Sequence, residues 1–185
     1  MKFIIAVFIS LVSTSTSILA WDGNRQGFLY GVGAGTNSQS VLFTDAEYDG
    51  HHESATLSTS ITNFRIGYAP NNNFAMLLYG HGLWNTYQGN ETSYLAINVQ
   101  RWSTDEPQSN SWFGGIGLIT RAQNYKVKGY NQSDPDFGFG ANFGYGREIA
   151  KHASIETNLT IGGMSVESSN RIFVGSNITF HLLGY

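Results

Sequence analysis

The stretch "DFGFGANFGYGRE", Asp136 to Glu148, sets an aromatic or small apolar residue at every second position. Phe137, Phe139, Ala141, Phe143 and Tyr145 share one parity, and Gly138, Gly140, Asn142, Gly144 and Gly146 share the other. A period of two belongs to a β-strand, whose successive side chains point to opposite faces. From Gly138 to Gly146 the glycine face carries no charge. It is narrow and backbone-rich, suited to a crowded interior rather than to water.

The same alternation recurs along the chain at hairpin spacing, separated by polar, turn-rich stretches. The first strand is expected at about 26–36, with Phe28, Tyr30, Val32 and Ala34 opposite Gly27, Gly31, Gly33 and Gly35. The second, 56–69, has its apolar parity clearest at Phe64, Ile66 and Tyr68; the third, 74–84, is apolar on both parities. The fourth, 93–102, sets Leu95, Ile97 and Val99 against Ala96, Asn98 and Gln100, and the fifth, 111–122, carries Trp112, Ile116 and Leu118. The opening stretch is the sixth. The seventh sets Ile155, Leu159 and Ile161 against Glu156, Asn158 and Thr160, and the eighth, 172–183, sets Ile172, Val174, Ile178, Phe180 and Leu182 against Gly175, Asn177, Thr179 and His181.

Polar connections are expected at 37–55, 69–73, 85–92, 103–110, 123–135, 148–153 and 165–171. Those after strands one, three, five and seven are mostly the longer ones. An even strand number with long and short connections in turn fits an all-β, eight-stranded antiparallel up-and-down transmembrane barrel, its short turns and both termini periplasmic.

Composition points the same way. Charged residues make up 12% of the 185, about half the share usual in soluble domains. Glycine occurs 22 times and aromatics account for 14%. Residues 1–20, "MKFIIAVFISLVSTSTSILA", have the parts of a secretory signal peptide: Lys2, an apolar run from Phe3 to Val12, and a small-polar stretch ending at Ala20. Cleavage after Ala20 is expected, with Ser17 as the alternative, leaving one domain, 21–185. The apolar run is too short for a spanning helix, and no later run reaches that length. There is no cysteine, which removes disulfides, thiolate metal sites and a cysteine nucleophile. Without Lys2 the balance is nine basic against thirteen acidic residues, a net charge of −4 (9 − 13), which speaks against a nucleic-acid partner.

With the aromatic parity outward, Phe28, Tyr30, Phe137, Phe139, Phe143, Tyr145 and Phe180 face lipid, while glycine, asparagine and threonine fill the lumen. The alternative, a soluble ligand-binding barrel, needs apolar residues inside; here that parity carries Asn, Gln, Thr and Glu.

These residues give the chain its resemblance to the small outer-membrane β-barrel proteins, the OmpA transmembrane domain and the OmpX/Ail group. It is carried by the signal peptide, "GFLYGVGAG" (27–35), "FGFGANFGYGRE" (137–148) and a final amphipathic strand ending in Tyr185. The resemblance implies an outer-membrane location in a Gram-negative bacterium and a non-enzymatic structural or surface-interaction role. Recognition would be carried by four extracellular loops. One departure stands out: Tyr185 is out of phase with Phe180, Ile178 and Val174, where the family ends in an outward aromatic. A bend near Gly184 would restore the phase.

Candidate chemistry is sparse. Arg65, Glu156 and His181 fall on the inward parity at the periplasmic level, as a polar cluster that plugs or gates the lumen. Buried charges of this kind must pair, since desolvating one alone is costly. His152, Ser154 and Glu156 supply the residue types of a hydrolase triad, as the lipid A deacylases do. They lie at a periplasmic turn, however, whereas those enzymes work in the outer leaflet. His51, Asp49 and Ser54 offer the set of a palmitoyltransferase with no supporting context. Either would make the protein a lipid-modifying enzyme, the alternative to a surface role; a narrow pore is disfavoured by strand number. The first loop gathers Asp45, Glu47, Asp49, His51, His52 and Glu53, and offers oxygen ligands for a divalent cation or a bridge through it to lipopolysaccharide phosphates, but without the spacing of a metal motif. Lys126 and Lys128 are candidates for headgroup contact. No cofactor and no resident metal are expected. Outer-membrane lipid, lipopolysaccharide and a loop-bound extracellular ligand are the expected partners of a monomer.

Overall fold

A computed structural model describes residues 25–43, 52–54, 58–85, 90–106, 108–123, 125–127, 130–132, 136–166 and 169–185. Eight long strands, β1 (Gly27–Phe43), β3 (Ser58–Asn71), β4 (Phe74–Asn85), β5 (Asn90–Trp102), β6 (Asn110–Gln123), β9 (Asp136–Ala150), β10 (Ala153–Val166) and β11 (Ser169–Gly184), pair antiparallel with their neighbours in sequence. Three short segments, β2 (His52–Ser54), β7 (Tyr125–Val127) and β8 (Tyr130–Gln132), sit in the connections. β1 also pairs with β11, from Tyr30↔Gly184 to Phe43↔Arg171, so the sheet closes into a barrel and its long strands leave no open edge.

The strands outrun their expected bounds, chiefly at the end away from the termini. β1 continues to Phe43, and β2 pairs back onto it through Leu42↔His52. The stretch 37–55, expected as one long loop, therefore begins as strand. The last connection shrinks likewise, because Ser165↔Asn170 and Val166↔Ser169 extend the β10–β11 ladder into 165–171. Within 123–135, β7 and β8 form a small hairpin of their own. The expected alternation of loop length thus appears largely as strand length beyond the 9–11 residues a tilted spanning strand needs.

Parity decides inside from outside. Phe28, Phe137, Phe143 and Phe180 are exposed on the outer wall, and Phe139 is 75% exposed. Tyr30 and Tyr145 stand on the same wall half-covered. The Tyr30 ring lies against Gly184, and Tyr145 packs on Trp112 at 4.5 Å. Ile97, Ile116, Leu159, Ile161 and Ile178 continue this exposed apolar surface around the barrel. β4, unassigned by its pattern, buries Ala75, Leu77, Tyr79 and His81 and exposes Met76 and Leu78.

The glycine face of β9 turns inward and is filled by neighbours. A Cβ on Gly144 would stand 2.1 Å from the Phe113 ring, and one on Gly146 would stand 2.7 Å from Cγ of Glu156. The crowded interior inferred from "GFGANFGYG" is made of these side chains.

Candidate functional site

The lumen is where the fold gathers its polar chemistry. At the end holding the termini, the Arg25 guanidinium meets the Glu148 carboxylate in a fork, Nε to Oε1 at 2.9 Å and Nη2 to Oε2 at 2.7 Å. The same side chain donates to the carbonyls of Asn72 (3.1 Å), Thr104 (3.0 Å) and Glu106 (2.6 Å) and to Ser109 Oγ (2.8 Å). It stacks over the Trp102 ring at 5.1 Å. One cation so ties the β3–β4 turn, the β5–β6 turn and the end of β9 to the segment preceding β1. The planar fork suits this task, since five N–H donors leave in fixed directions and a lysine would offer only three from one point.

Tyr185 closes the same mouth. Its hydroxyl donates to Glu148 Oε1 at 2.8 Å, and its ring packs on a buried group formed by Leu29, Ala69, Ala75, Leu77 and Trp102. The β1–β11 register runs without a bulge to Gly184, so no bend restores Tyr185 to the outward phase. It stays on the inward parity of His181 and Leu183, because the carboxylate it bonds lies inside. Burial pushes its phenol pKa well above the ordinary value, and the neighbouring Glu148 carboxylate adds to the shift.

Deeper in, Arg65 and Glu156 form an ion pair, with both side chains almost wholly buried. Arg65 also donates to Gln100 Oε1 at 3.1 Å, Gln100 donates to Ser111 Oγ at 3.0 Å, and Ser154 Oγ donates to Glu156 Oε1 at 2.9 Å. His181 Nε2 stands 3.6 Å from Glu156 Oε2. The structure thus brings together Arg65, Glu156 and His181. Beyond them, Asn63 donates to Thr179 Oγ1 at 2.7 Å, Tyr94 to Asn142 Oδ1 at 3.1 Å, and Asn142 to Asn158 Oδ1 at 3.3 Å. An apolar layer of Tyr79, Tyr94, Ala96, Ile119, Met164 and Phe173 fills the section farther from the termini.

The suspected triad does not assemble. His152 binds the Leu183 carbonyl through Nδ1 at 3.0 Å, out at the β9–β10 turn. Ser154 donates its hydrogen bond to Glu156, whose carboxylate is already paired with Arg65, rather than to a histidine that would serve as the base of a triad. Asp45, Glu47, Asp49, His51 and Lys128 lie outside the described residues. His52, Glu53 and Ser54 lie in β2 and Lys126 in β7, where the backbone alone is described.

Sequence reasoning missed Arg25, Glu148 and Ser109. Arg25 precedes the first alternating residue and so has no parity. Glu148 closes the even, inward row of β9 but reads as the start of the polar turn.

The sequence matches no protein-family model and no curated protein. Solved structures do resemble it. Neisserial surface protein A is 12% identical with a TM-score of 0.52, covering 83% of this chain and 96% of its own. Ail, the attachment invasion locus protein of Yersinia pestis, solved in complex with the heparin analogue sucrose octasulfate, is 10% identical with a TM-score of 0.50, covering 85% and 100%. The outer membrane protein OprG from Pseudomonas aeruginosa is 11% identical with a TM-score of 0.47, covering 88% and 98%. At these identities the shared property is the fold. It is the closed eight-stranded antiparallel barrel of small outer-membrane proteins.

Proposed function

We propose that the chain is a non-enzymatic bacterial outer-membrane barrel with a structural or surface-interaction role, exported with a leader at 1–20 that is then removed. The observation that carries this reading is the inversion of an ordinary globular protein. Ion pairs and amides fill the lumen, while Phe28, Phe137, Phe139, Phe143 and Phe180 stand exposed on an apolar outer wall. A surface of that extent is a liability in water and a requirement in a bilayer. Lipid would contact this wall, and lipopolysaccharide would meet the end away from the termini.

The filled lumen favours a plug over a pore. A catalytic role finds no support among the described residues: Ser154 bonds Glu156, Glu156 pairs with Arg65, and His152 bonds the Leu183 carbonyl. Recognition would fall to the four connections at the far end. The first of these, with Asp45, Glu47, Asp49 and Glu53, is acidic, which opposes the sulfated ligand solved on Ail and suits a cationic or cation-bridged one. A monomer is the expected state.

The test is refolding in detergent followed by denaturing electrophoresis with and without heating. A heat-dependent mobility shift together with β-type circular dichroism supports the barrel, and surface labelling of cells expressing a tag within 44–53 supports the orientation. A chain that stays folded and soluble without detergent would overturn the reading. A changed lipid A mass spectrum on expression would move the assignment to the enzyme.

A further inference from the structure

The outer wall is not uniformly filled. β6 presents Trp112, Gly114, Ile116 and Leu118 outward, and at Gly114 the row has no side chain. Val99 on β5 and Phe143 on β9 are its cross-strand partners, so the gap is walled by apolar groups on both sides. Phe143 and Trp112 stack at 5.7 Å along its edge. This notch belongs to a groove of about 930 Å³ that runs to the barrel rim.

The groove changes chemistry along its length. One step from Val99 towards the rim, Arg101 stands exposed between its cross-strand partners Phe74 and Trp112. Beyond it the lining becomes Gln26, the Asn72 turn and exposed Asp105. Arg101 and Asp105 form no ion pair with each other or with any other described residue. An apolar slot at bilayer depth leads to a cation, and then at the rim to an anion, neither of them ion-paired among the described residues.

We infer that this groove is a binding site for one phospholipid bearing an aminoalkyl phosphate headgroup. An acyl chain lies in the notch over Gly114, the phosphate accepts from Arg101 and the primary ammonium donates to Asp105. The inference rests on the outward wall facing lipid. It goes further in naming a headgroup, because the cation and anion come in the depth order of phosphate and amine. A purely anionic headgroup would satisfy Arg101 and be repelled by Asp105, and a quaternary ammonium would leave Asp105 without a hydrogen bond. With the termini periplasmic, the site opens to the inner, phospholipid leaflet.

The experiment is native mass spectrometry of the purified protein released from nanodiscs holding equal phosphatidylethanolamine, phosphatidylglycerol and phosphatidylcholine. The parent should retain phosphatidylethanolamine over the other two by about tenfold, the effect of one charge-assisted hydrogen bond. Arg101→Gln should lower retention of all three. Asp105→Asn should abolish the preference and leave phosphatidylglycerol bound at least as well as before. Gly114→Leu should lower total retention without changing the preference; its new Cβ meets only Asn142 O at 3.1 Å and Phe143 at 3.6 Å. Equal retention of the three lipids by the parent, or an unchanged preference in Asp105→Asn, overturns the inference. Failure to enter nanodiscs with a heat-dependent mobility shift overturns the membrane reading instead, so the two failures differ. Both charged positions are exposed, and their variants are expected to fold.

Discussion

Removing the Arg25 guanidinium is the most informative single perturbation of this barrel. Arg25→Ala deletes the fork to Glu148, the bonds to the carbonyls of Asn72, Thr104 and Glu106, and the bond to Ser109. Arg25 and Glu148 are 1% and 2% exposed, so solvent does not take over the lost contacts, and among the described side chains Tyr185 is left as the donor to a buried Glu148 carboxylate. Breaking one partner of such a pair costs about 3–5 kcal/mol. Arg25→Lys keeps the charge but not the fork, and should cost less, roughly 1–3 kcal/mol. Adding Glu148→Gln to Arg25→Ala should recover part of the loss, with a coupling energy of about 1–3 kcal/mol in the double-mutant cycle. The assay is urea unfolding of the refolded protein in phospholipid bilayers, followed by tryptophan fluorescence and the electrophoretic heat shift. An Arg25→Ala protein within about 1 kcal/mol of the parent would refute the reasoning, because a buried unpaired carboxylate cannot be that cheap.

Other expectations can be checked in the same unfolding assay. Glu156→Gln leaves Arg65 buried beside a neutral amide and should destabilise by about 3–5 kcal/mol, without raising planar-bilayer conductance, since apolar side chains still fill the lumen beyond it. Gly144→Ala drives a methyl into the Phe113 ring and should cost about 1–3 kcal/mol, whereas Gly163→Ala, where a Cβ meets nothing within 4 Å, should be near neutral; equal effects would mean that the inward glycines are not packing sites. Tyr185→Phe loses the bond to Glu148, worth about 1–2 kcal/mol at neutral pH. Because the folded phenol pKa is raised, the parent's advantage over this variant is complete below an unfolded value of about 10 and shrinks as pH rises towards the folded one. Stability differences measured at pH 8 and pH 11 that stay equal would exclude that linkage.

Much of the fold was legible because a barrel writes its two faces in a period of two. β9 shows this best, with phenylalanines at 137, 139 and 143 outside and glycines at 138, 140 and 144 inside. The lumen cluster could be placed from parity too, since Arg65, Glu156 and His181 are ionisable members of inward rows. β4 was illegible because its inward residues, Ala75, Leu77 and Tyr79, are as apolar as its outward ones. They pack into the two apolar groups of the lumen, Ala75 and Leu77 at the mouth and Tyr79 farther in. Strand ends were illegible for another reason. Beyond the bilayer a ladder needs no apolar face, so Ser38 to Ser40 and the cross-strand pair Ser165 and Asn170 carry the polar composition of loops while keeping strand pairing. Arg25 lay outside any pattern, since its role depends on two turns and a strand end that are far apart in sequence.

The two ends of the described chain share one carboxylate. Oε1 of Glu148 receives both the Arg25 Nε–H and the Tyr185 hydroxyl. A barrel in which either donor is held away from the mouth closes around a carboxylate short of a hydrogen bond in a place that is almost wholly buried. Glu148 therefore works as a latch across the seam: the β1–β11 ladder zips the wall shut, and this one side chain registers whether the segments flanking both seam strands have docked.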